Sequence, residues 1–147
     1  MNETLEKKNI MMKLNGVRQT SQRRATLQYL SSTNSHPTAN KIYNILKKDF
    51  PKLSLATVYQ NLKTLTKNNV IKEISVKNMP NRYDFNTENH YHIVCQSCGE
   101  IHDFVYPVFH EVEEIASHLF NFNVFSHSLE IYGLCKTCQK TASDKFY

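Results

Sequence analysis

The four cysteines of this chain form two pairs with the same internal spacing. Cys95 and Cys98 enclose two residues, and Cys135 and Cys138 repeat that spacing near the C-terminus. A Cys-x-x-Cys pair lets both sulfurs turn toward one point, so two pairs supply the four thiolates of a closed tetrahedral zinc site. Because four sulfurs leave no position open for a substrate, we expect a structural site. The alternative is a disulfide pair or buried free thiols, which two evenly spaced pairs disfavour.

A second group of candidate ligands has nitrogen and oxygen donors. His90 and His92 are two positions apart in a strand-like run, so both imidazoles project from one side. Asp103 lies on the next strand-like run, Asp84 precedes the pair, and His36 belongs to the first half of the chain. Three imidazoles and two carboxylates suit Fe(II) or Mn(II). Any of these residues alone is more often a cap, a surface charge or a hydrogen-bonded polar group.

Charge and hydropathy limit the partners of the chain. A formal net charge of +5 and a pI near 9.0 favour a polyanionic partner, although charge alone gives only non-specific attraction. No apolar run approaches membrane-spanning length, and the N-terminus has no apolar signal core. We therefore expect a cytoplasmic protein without a membrane partner, in a reducing compartment that keeps thiols available for zinc.

The first half of the chain has the pattern of a DNA-binding head. After an amphipathic helix at 1–15, helical periodicity and hydroxyl caps predict helices that begin near residues 21, 39 and 55. Strand-like segments at 70–76 and 82–85 enclose a turn. Three helices followed by a two-stranded hairpin form a winged helix-turn-helix.

The helix predicted at 55–67 has a polar side that suits base reading. Opposite its apolar stripe it carries amides, hydroxyls and a cation, which can pair with bases and phosphates in a major groove. These side chains are Thr57, Tyr59, Gln60, Asn61, Lys63 and Thr64. An ordinary solvated face is the alternative interpretation.

The second half predicts a small α/β domain. Strand-like runs at 91–95, 101–105 and 124–132 surround a segment of helical spacing at 107–120. The order β-β-α-β leaves a sheet edge or an apolar face available for self-pairing. The fold class is therefore α+β: a winged-helix DNA-binding domain at 1–83, a hinge at 84–90, and a dimerisation and metal-binding domain at 91–147.

Several stretches together resemble the ferric uptake regulator superfamily, and most of all its peroxide-sensing repressor branch. The resemblance runs in unbroken order from about residue 14 to 139. It is carried by Gly16-Val-Arg18, Gln22-Arg23, His36-Pro-Thr-Ala39, Ser54-Leu-Ala-Thr-Val-Tyr59, Arg82-Tyr-Asp-Phe85, His90-Tyr-His92, Asp103-Phe104 and Leu129-Glu-Ile-Tyr-Gly133, together with both cysteine pairs.

The resemblance implies a homodimeric repressor that binds a two-fold symmetric DNA operator, with zinc on the four cysteines. It implies a regulatory Fe(II) or Mn(II) site made of His36, Asp84, His90, His92 and Asp103, in which His36 and His90 match the positions oxidised by peroxide. It also implies that a metal ion favours a closed form with both reading helices at successive grooves. The residues expected to contact DNA are Arg18, Gln22, Arg23, Thr57, Tyr59, Gln60, Asn61 and Lys63.

Departures from the family pattern and rival functions complete the expectations. The run Asn89-His90-Tyr91-His92 lacks the outer histidine and the aspartate of relatives with a further metal site, so no third site is expected. Gln60 replaces an asparagine that is usual in this branch, which bears on base preference. The rival functions are an iron- or manganese-responsive repressor without peroxide sensing, a zinc-ribbon RNA-binding module and a metal-assisted hydrolase. We expect no enzyme and no small-molecule substrate, because neither a general base nor a substrate pocket is indicated.

Overall fold

The structure is a computed structural model that describes residues 2–143. The chain divides into two compact units between Thr87 and Glu88. The mixture of helices and antiparallel and parallel strands confirms the predicted α+β class. The stretch 84–90 contains this division, and its action as a hinge stays a prediction.

The N-terminal unit is mainly helical within the described residues. Its helices are α1 (Asn2–Leu14), α2 (Ser21–Ser32), α3 (Ala39–Leu46) and α4 (Leu55–Lys67). The last three begin at hydroxyl side chains that accept the backbone N–H three residues later, which stabilises each helix start by roughly 1 kcal/mol. These caps are Thr20, Thr38 and Ser54.

A short hairpin completes the winged helix-turn-helix. Strands β1 (Lys72–Ile74) and β2 (Arg82–Asp84) pair antiparallel, with Lys72 opposite Asp84. The strand predicted from residue 70 begins later because Val70 and Ile71 are buried in the core rather than paired. That core joins the apolar faces of the helices: Met12, Leu27, Leu30, Ile42, Leu62 and Leu65 are all buried.

Asn61 corrects the predicted polar side of α4. The sequence placed its amide outward, but the side chain is only 4% exposed. Asn61 lies three residues after Val58 and four before Leu65, so it falls on the buried stripe of the helix. An outward amide at this position is therefore wrong, whereas Tyr59, Gln60 and Lys63 are exposed. The polarity of asparagine hid its place in the helical period.

The C-terminal unit is a three-stranded sheet with two helices. Its elements are β3 (Tyr91–Cys95), β4 (Ile101–Phe104), α5 (His110–Phe120), β5 (Glu130–Gly133) and α6 (Lys136–Ser143). Strand β3 is central: it pairs antiparallel with β4 and parallel with β5. The most buried apolar residues of this unit are Tyr91, Val94 and Ile101.

Two sequence predictions for this unit differ from the structure. The strand expected at 124–132 is regular only over Glu130–Gly133. Just before it, the Leu129 carbonyl accepts the His92 N–H at 3.3 Å, but residues 124–128 are not paired in the described sheet. Helix α6 was not predicted: it follows Cys135 directly and has little apolar residue content to mark it. None of the described helices combines the length and apolar character needed to cross a membrane.

Candidate metal centres

The four cysteine sulfurs converge on one point. All four Sγ atoms lie within 4.8 Å of one another, and Cys98 Sγ is 3.8 Å from Cys135 Sγ. A tetrahedral zinc–thiolate site with Zn–S bonds of about 2.3 Å has sulfur–sulfur edges of about 3.8 Å. The cluster therefore has the dimensions of a structural zinc site, and its donor chemistry fits that ion.

Backbone hydrogen bonds shape the first cysteine pair. The Gly99 N–H donates to the Cys95 carbonyl at 2.9 Å, which closes a tight turn over Cys98. Gly99 has φ of +73°, a left-handed value that glycine adopts without steric cost. The second pair spans the start of α6, where the Gln139 N–H donates to the Cys135 carbonyl at 2.9 Å.

Cys95 is prepared to act as a thiolate. The backbone N–H of Cys135 donates to Cys95 Sγ at 3.3 Å, and this hydrogen bond is the main reason that the pKa of Cys95 falls to about 6. Burial acts in the opposite direction but is outweighed. Because the thiolate is the ligand form, this sulfur needs little further deprotonation to bind a metal at neutral pH.

The N-terminal unit holds a buried histidine–aspartate pair. His36 Nε2 lies 3.3 Å from Asp84 Oδ2, and both side chains are more than nine-tenths buried. The other carboxylate oxygen, Asp84 Oδ1, accepts the Asn86 N–H at 2.8 Å, which orients Oδ2 toward the imidazole. One nitrogen and one oxygen donor are thus held together in this unit.

Contacts to β2 hold His36 in place. The Tyr83 N–H donates to the Pro37 carbonyl at 3.0 Å, and Thr38 forms an isolated bridge with Arg82. His36 itself has φ of +46°, an uncommon value for a non-glycine residue. A strained backbone persists only where its surroundings fix it, and strain of this kind is concentrated at functional sites.

The C-terminal unit contains two imidazole nitrogens that lie close to one carboxylate oxygen. His90 Nε2 and His92 Nε2 lie 3.2 and 3.5 Å from Asp103 Oδ1. The pairing of β3 with β4 places His92 directly opposite Asp103, while His90 follows the two-residue period of the strand. The two imidazole rings are 4.4 Å apart between centroids, so their nitrogens can bind one ion.

The Glu88 carbonyl sets the tautomer of His90. His90 Nδ1 lies 2.8 Å from that carbonyl oxygen. A carbonyl only accepts hydrogen bonds, so Nδ1 carries the proton and Nε2 carries the lone pair that a metal ion needs. Metal-binding histidines commonly have this arrangement.

The predicted DNA-contact residues occupy two places in the N-terminal unit. On α4, Tyr59, Gln60 and Lys63 are exposed, whereas Thr57 is half-buried and its hydroxyl lies 2.9 Å from the Ser54 hydroxyl. A cleft of about 510 Å³ beside them is lined by Tyr59, Lys63, Thr66, Lys67, Glu73 and Tyr83.

The other DNA-contact residues surround the start of α2. Arg18 is exposed, Gln22 and Arg23 are half-buried, and Arg23 Nη1 donates to the Arg18 carbonyl. Contact of any of these residues with DNA stays a prediction.

The C-terminal unit exposes many large apolar side chains. Helix α5 has no buried residue in the described chain, and its apolar stripe faces outward. The exposed side chains include Val105, Tyr106, Val112, Ile115, Leu119, Phe120, Phe122, Phe125, Ile131 and Leu134. Exposed apolar surface on this scale marks an interaction face.

Sequence reasoning missed Tyr91. The sequence marks it only as the residue between two candidate ligands, but it is completely buried and its hydroxyl forms a hydrogen bond with His127. A buried tyrosine hydroxyl needs a partner, but that partner is distant in sequence and no local spacing marks it.

Comparisons with known proteins agree with this architecture. The model of the ferric uptake regulator family matches residues 14–132. The peroxide-responsive repressor PerR of Staphylococcus aureus (strain USA300) is 47% identical over 135 residues, which cover 92% of this chain and 91% of that protein.

Solved structures of the same family share the fold. The Campylobacter jejuni peroxide stress regulator is 36% identical, with a TM-score of 0.67 over 80% of this chain and 88% of that one. The Helicobacter pylori ferric uptake regulator, described as having three functional metal binding sites, is 26% identical, with a TM-score of 0.79 over 94% of this chain and 93% of that one. The family model, the sequence identity and the shared fold confirm the resemblance found in the motifs: this chain belongs to the ferric uptake regulator family.

Proposed function

We propose that this chain is a metal-dependent, DNA-binding transcriptional repressor that senses peroxide through metal-catalysed oxidation of a liganding histidine. The observation that carries the proposal is the convergence of His90 Nε2 and His92 Nε2 on Asp103 Oδ1, apart from the sulfur cluster. Similarity to the S. aureus peroxide-responsive repressor supports the peroxide response.

The sulfur site and the nitrogen and oxygen site are suited to different metal ions. We propose that Zn²⁺ binds Cys95, Cys98, Cys135 and Cys138 and stabilises the C-terminal unit, because four thiolates at tetrahedral spacing favour this ion. A site with no open position does not react with substrates, so its role is structural.

The regulatory ion would bind to nitrogen and oxygen donors from both units. We propose that His36 and Asp84 join His90, His92 and Asp103 around one Fe(II) or Mn(II) ion, for which mixed imidazole and carboxylate ligands are suited. Each half of this ligand set is already arranged within its own unit. An ion bound to both halves would favour one arrangement of the units by its differential affinity for that arrangement.

Peroxide sensing would depend on the ligands themselves. Fe(II) bound there would catalyse the two-electron reduction of peroxide by a ligand imidazole, with one peroxide oxygen added to the ring and the other released as water. The imidazole of His36 or His90 would gain one oxygen atom and lose its function as a ligand. The operator would then be released, and each molecule would respond once rather than turn over a substrate. The proposal therefore includes neither an enzymatic activity nor a small-molecule substrate.

DNA recognition would require a dimer. We propose that the exposed apolar face of α5 and of the sheet edge pairs two copies, since a two-fold axis repeats one self-complementary surface. Two winged heads would then place the exposed side of α4 in successive major grooves of a two-fold operator. We propose the cytoplasm as the location, where DNA and reduced thiols are both present.

An iron- or manganese-responsive repressor without peroxide sensing is the second candidate. The similarity to the H. pylori ferric uptake regulator favours it. It uses the same donors and the same dimer, and it differs only in the fate of the ligands after peroxide treatment.

Mass spectrometry separates these two candidates. After anaerobic loading with Fe(II) and a peroxide pulse, the proposal predicts a gain of about 16 Da on the peptide that contains His36 or His90, together with loss of operator binding. Protein loaded with Mn(II) is the control and should gain nothing, because Mn(II) does not catalyse this reaction. Unmodified histidines and unchanged operator binding in the Fe(II) sample would leave the second candidate.

A further inference from the structure

Tyr91 is the first residue of β3 and lies between two proposed metal ligands in the sequence. Its side chain faces the side of the strand opposite to theirs. Successive side chains of a strand point to opposite faces, so the imidazoles of His90 and His92 lie on one side and the Tyr91 ring on the other. That ring is completely buried. It stacks on Phe104 and Phe109 at centroid distances of 6.4 and 5.8 Å.

The Tyr91 hydroxyl belongs to a chain of hydrogen bonds with a fixed direction. The Phe109 N–H donates to it at 2.7 Å, so the hydroxyl proton points toward His127 Nε2, also at 2.7 Å. His127 Nε2 therefore accepts, and His127 Nδ1 carries a proton that it donates to Glu113 Oε1 at 2.9 Å. Each member of the chain has a donor or acceptor role that matches its neighbour.

The series of hydrogen bonds ends on α5. Glu113 belongs to the first turn of that helix, and its second oxygen, Oε2, is 3.2 Å from His110 Nδ1. The hydrogen bonds from His127 and then His110 lower the pKa of Glu113, so it is a carboxylate at neutral pH. Phe109 is the residue before the helix. The hydroxyl of Tyr91 thus connects β3 to the start of α5.

We infer that Tyr91 is a positioning residue for the ligands His90 and His92, and that His127 and Glu113 fix its hydroxyl. The inference rests on the proposed function for the role of these histidines. A shift or rotation of β3 at Tyr91 moves both flanking imidazoles, and productive ligand geometry tolerates displacements of only about 0.5 Å. The hydrogen bonds of the hydroxyl oppose that movement on the side of the strand away from the metal.

The same connection would link dimer formation to metal binding. Helix α5 carries part of the exposed apolar face. Val112 directly precedes Glu113 in this helix, and Ile115 follows it by two residues. Pairing of two copies through this face would hold α5 in place, and the hydrogen-bonded chain would pass that restraint to β3. The regulatory ligands would then be better arranged in a dimer than in a separate chain.

Tyr91→Phe tests the inference, with Tyr106→Phe as its matched control. Tyr106 stacks in the same aromatic group, 5.2 Å from Phe109, but its hydroxyl has no hydrogen-bond partner in the described part of the chain. Tyr91→Phe should weaken Mn(II) binding about tenfold and should change the visible spectrum of bound Co(II), whereas Tyr106→Phe should change neither. Zinc content and thermal unfolding report whether each variant is folded.

Substitutions of His127 provide a second test that does not alter the buried ring. Gln can accept from the Tyr91 hydroxyl while its amide donates to Glu113, so His127→Gln should keep most of the Mn(II) affinity. His127→Leu can do neither and should reproduce the loss and the Co(II) spectrum of Tyr91→Phe. In the wild-type protein, ¹⁵N NMR should show His127 protonated at Nδ1; a proton at Nε2 would contradict the chain of hydrogen bonds.

His92→Ala separates the positioning role of Tyr91 from the existence of the regulatory site. Mn(II) affinity that falls in His92→Ala but is unchanged in Tyr91→Phe and His127→Leu overturns the inference alone. Mn(II) affinity that is unchanged in His92→Ala overturns the proposed regulatory site, and the positioning role with it.

Discussion

At the scale of single residues, hydrogen bonds determine which atoms can act as ligands. The Cys135 N–H makes Cys95 a thiolate, and the Glu88 carbonyl leaves the lone pair of His90 on Nε2. In the N-terminal unit, the Asn86 N–H holds one oxygen of Asp84 and orients the other toward His36. Backbone groups therefore orient these donors.

The lowered pKa of Cys95 predicts how zinc affinity depends on pH. Below about pH 6 all four thiols must lose a proton when zinc binds, whereas above it Cys95 has already lost its own. Zinc affinity should therefore rise with pH throughout, and the slope should decrease by one proton near pH 6. Competition with a chelator from about pH 5 to about pH 8 measures this slope. A constant slope through pH 6 would show that Cys95 is an ordinary thiol.

At the scale of elements, the sequence predicts the features that depend on residues close together in the chain. Hydroxyl caps such as Thr20 and Ser54 and the helical period gave the helices of the winged head, and the two cysteine pairs gave the sulfur site. The outward placement of Asn61 was wrong because the polarity of its side chain concealed that it lies on the buried stripe of α4. The strand expected at 124–132 was too long because a ladder requires a partner, which periodicity does not reveal.

The cap of α4 provides a test of element stability. The Ser54 hydroxyl accepts the Thr57 N–H at 3.1 Å and also contacts the Thr57 hydroxyl. Ser54→Ala should lower the free energy of unfolding of the N-terminal unit by about 1 kcal/mol, because a donor at the helix start loses its acceptor. Thermal or urea unfolding measures the change. Ser75→Ala, at an exposed position after β1, is the control and should have little effect; equal effects would assign no capping role to Ser54.

The exposed side of α5 provides a second test at this scale. Ile115 is 57% exposed in the separate chain, and burial against a second copy would stabilise a dimer by roughly 1.5–3 kcal/mol per large apolar side chain. Ile115→Glu should therefore shift the protein toward monomers at micromolar concentration, as measured by light scattering. Glu114→Gln, one position away on an exposed side chain, should leave the dimer intact. A dimer that tolerates Ile115→Glu would require another interface.

At the scale of the whole molecule, the two units carry different groups of residues. The N-terminal unit carries the exposed polar side of α4 together with the pair His36 and Asp84. The C-terminal unit carries the sulfur site, the exposed apolar face and the group His90, His92 and Asp103. In the proposed function, an ion bound to ligands of both units would change DNA affinity without contacting DNA, because it would favour one arrangement of the units.

Metal-dependent operator affinity shows whether an ion at the proposed regulatory site controls DNA binding. Binding of a two-fold operator should be measured with and without Mn(II), for the wild-type protein and for the combined variant His90→Ala, His92→Ala and Asp103→Ala. Mn(II) should strengthen operator binding by the wild type at least about fivefold. The combined variant should keep its zinc and bind equally weakly with and without Mn(II). A combined variant that still binds the operator more tightly with Mn(II), to the same extent as the wild type, would show that His90, His92 and Asp103 do not form the regulatory site.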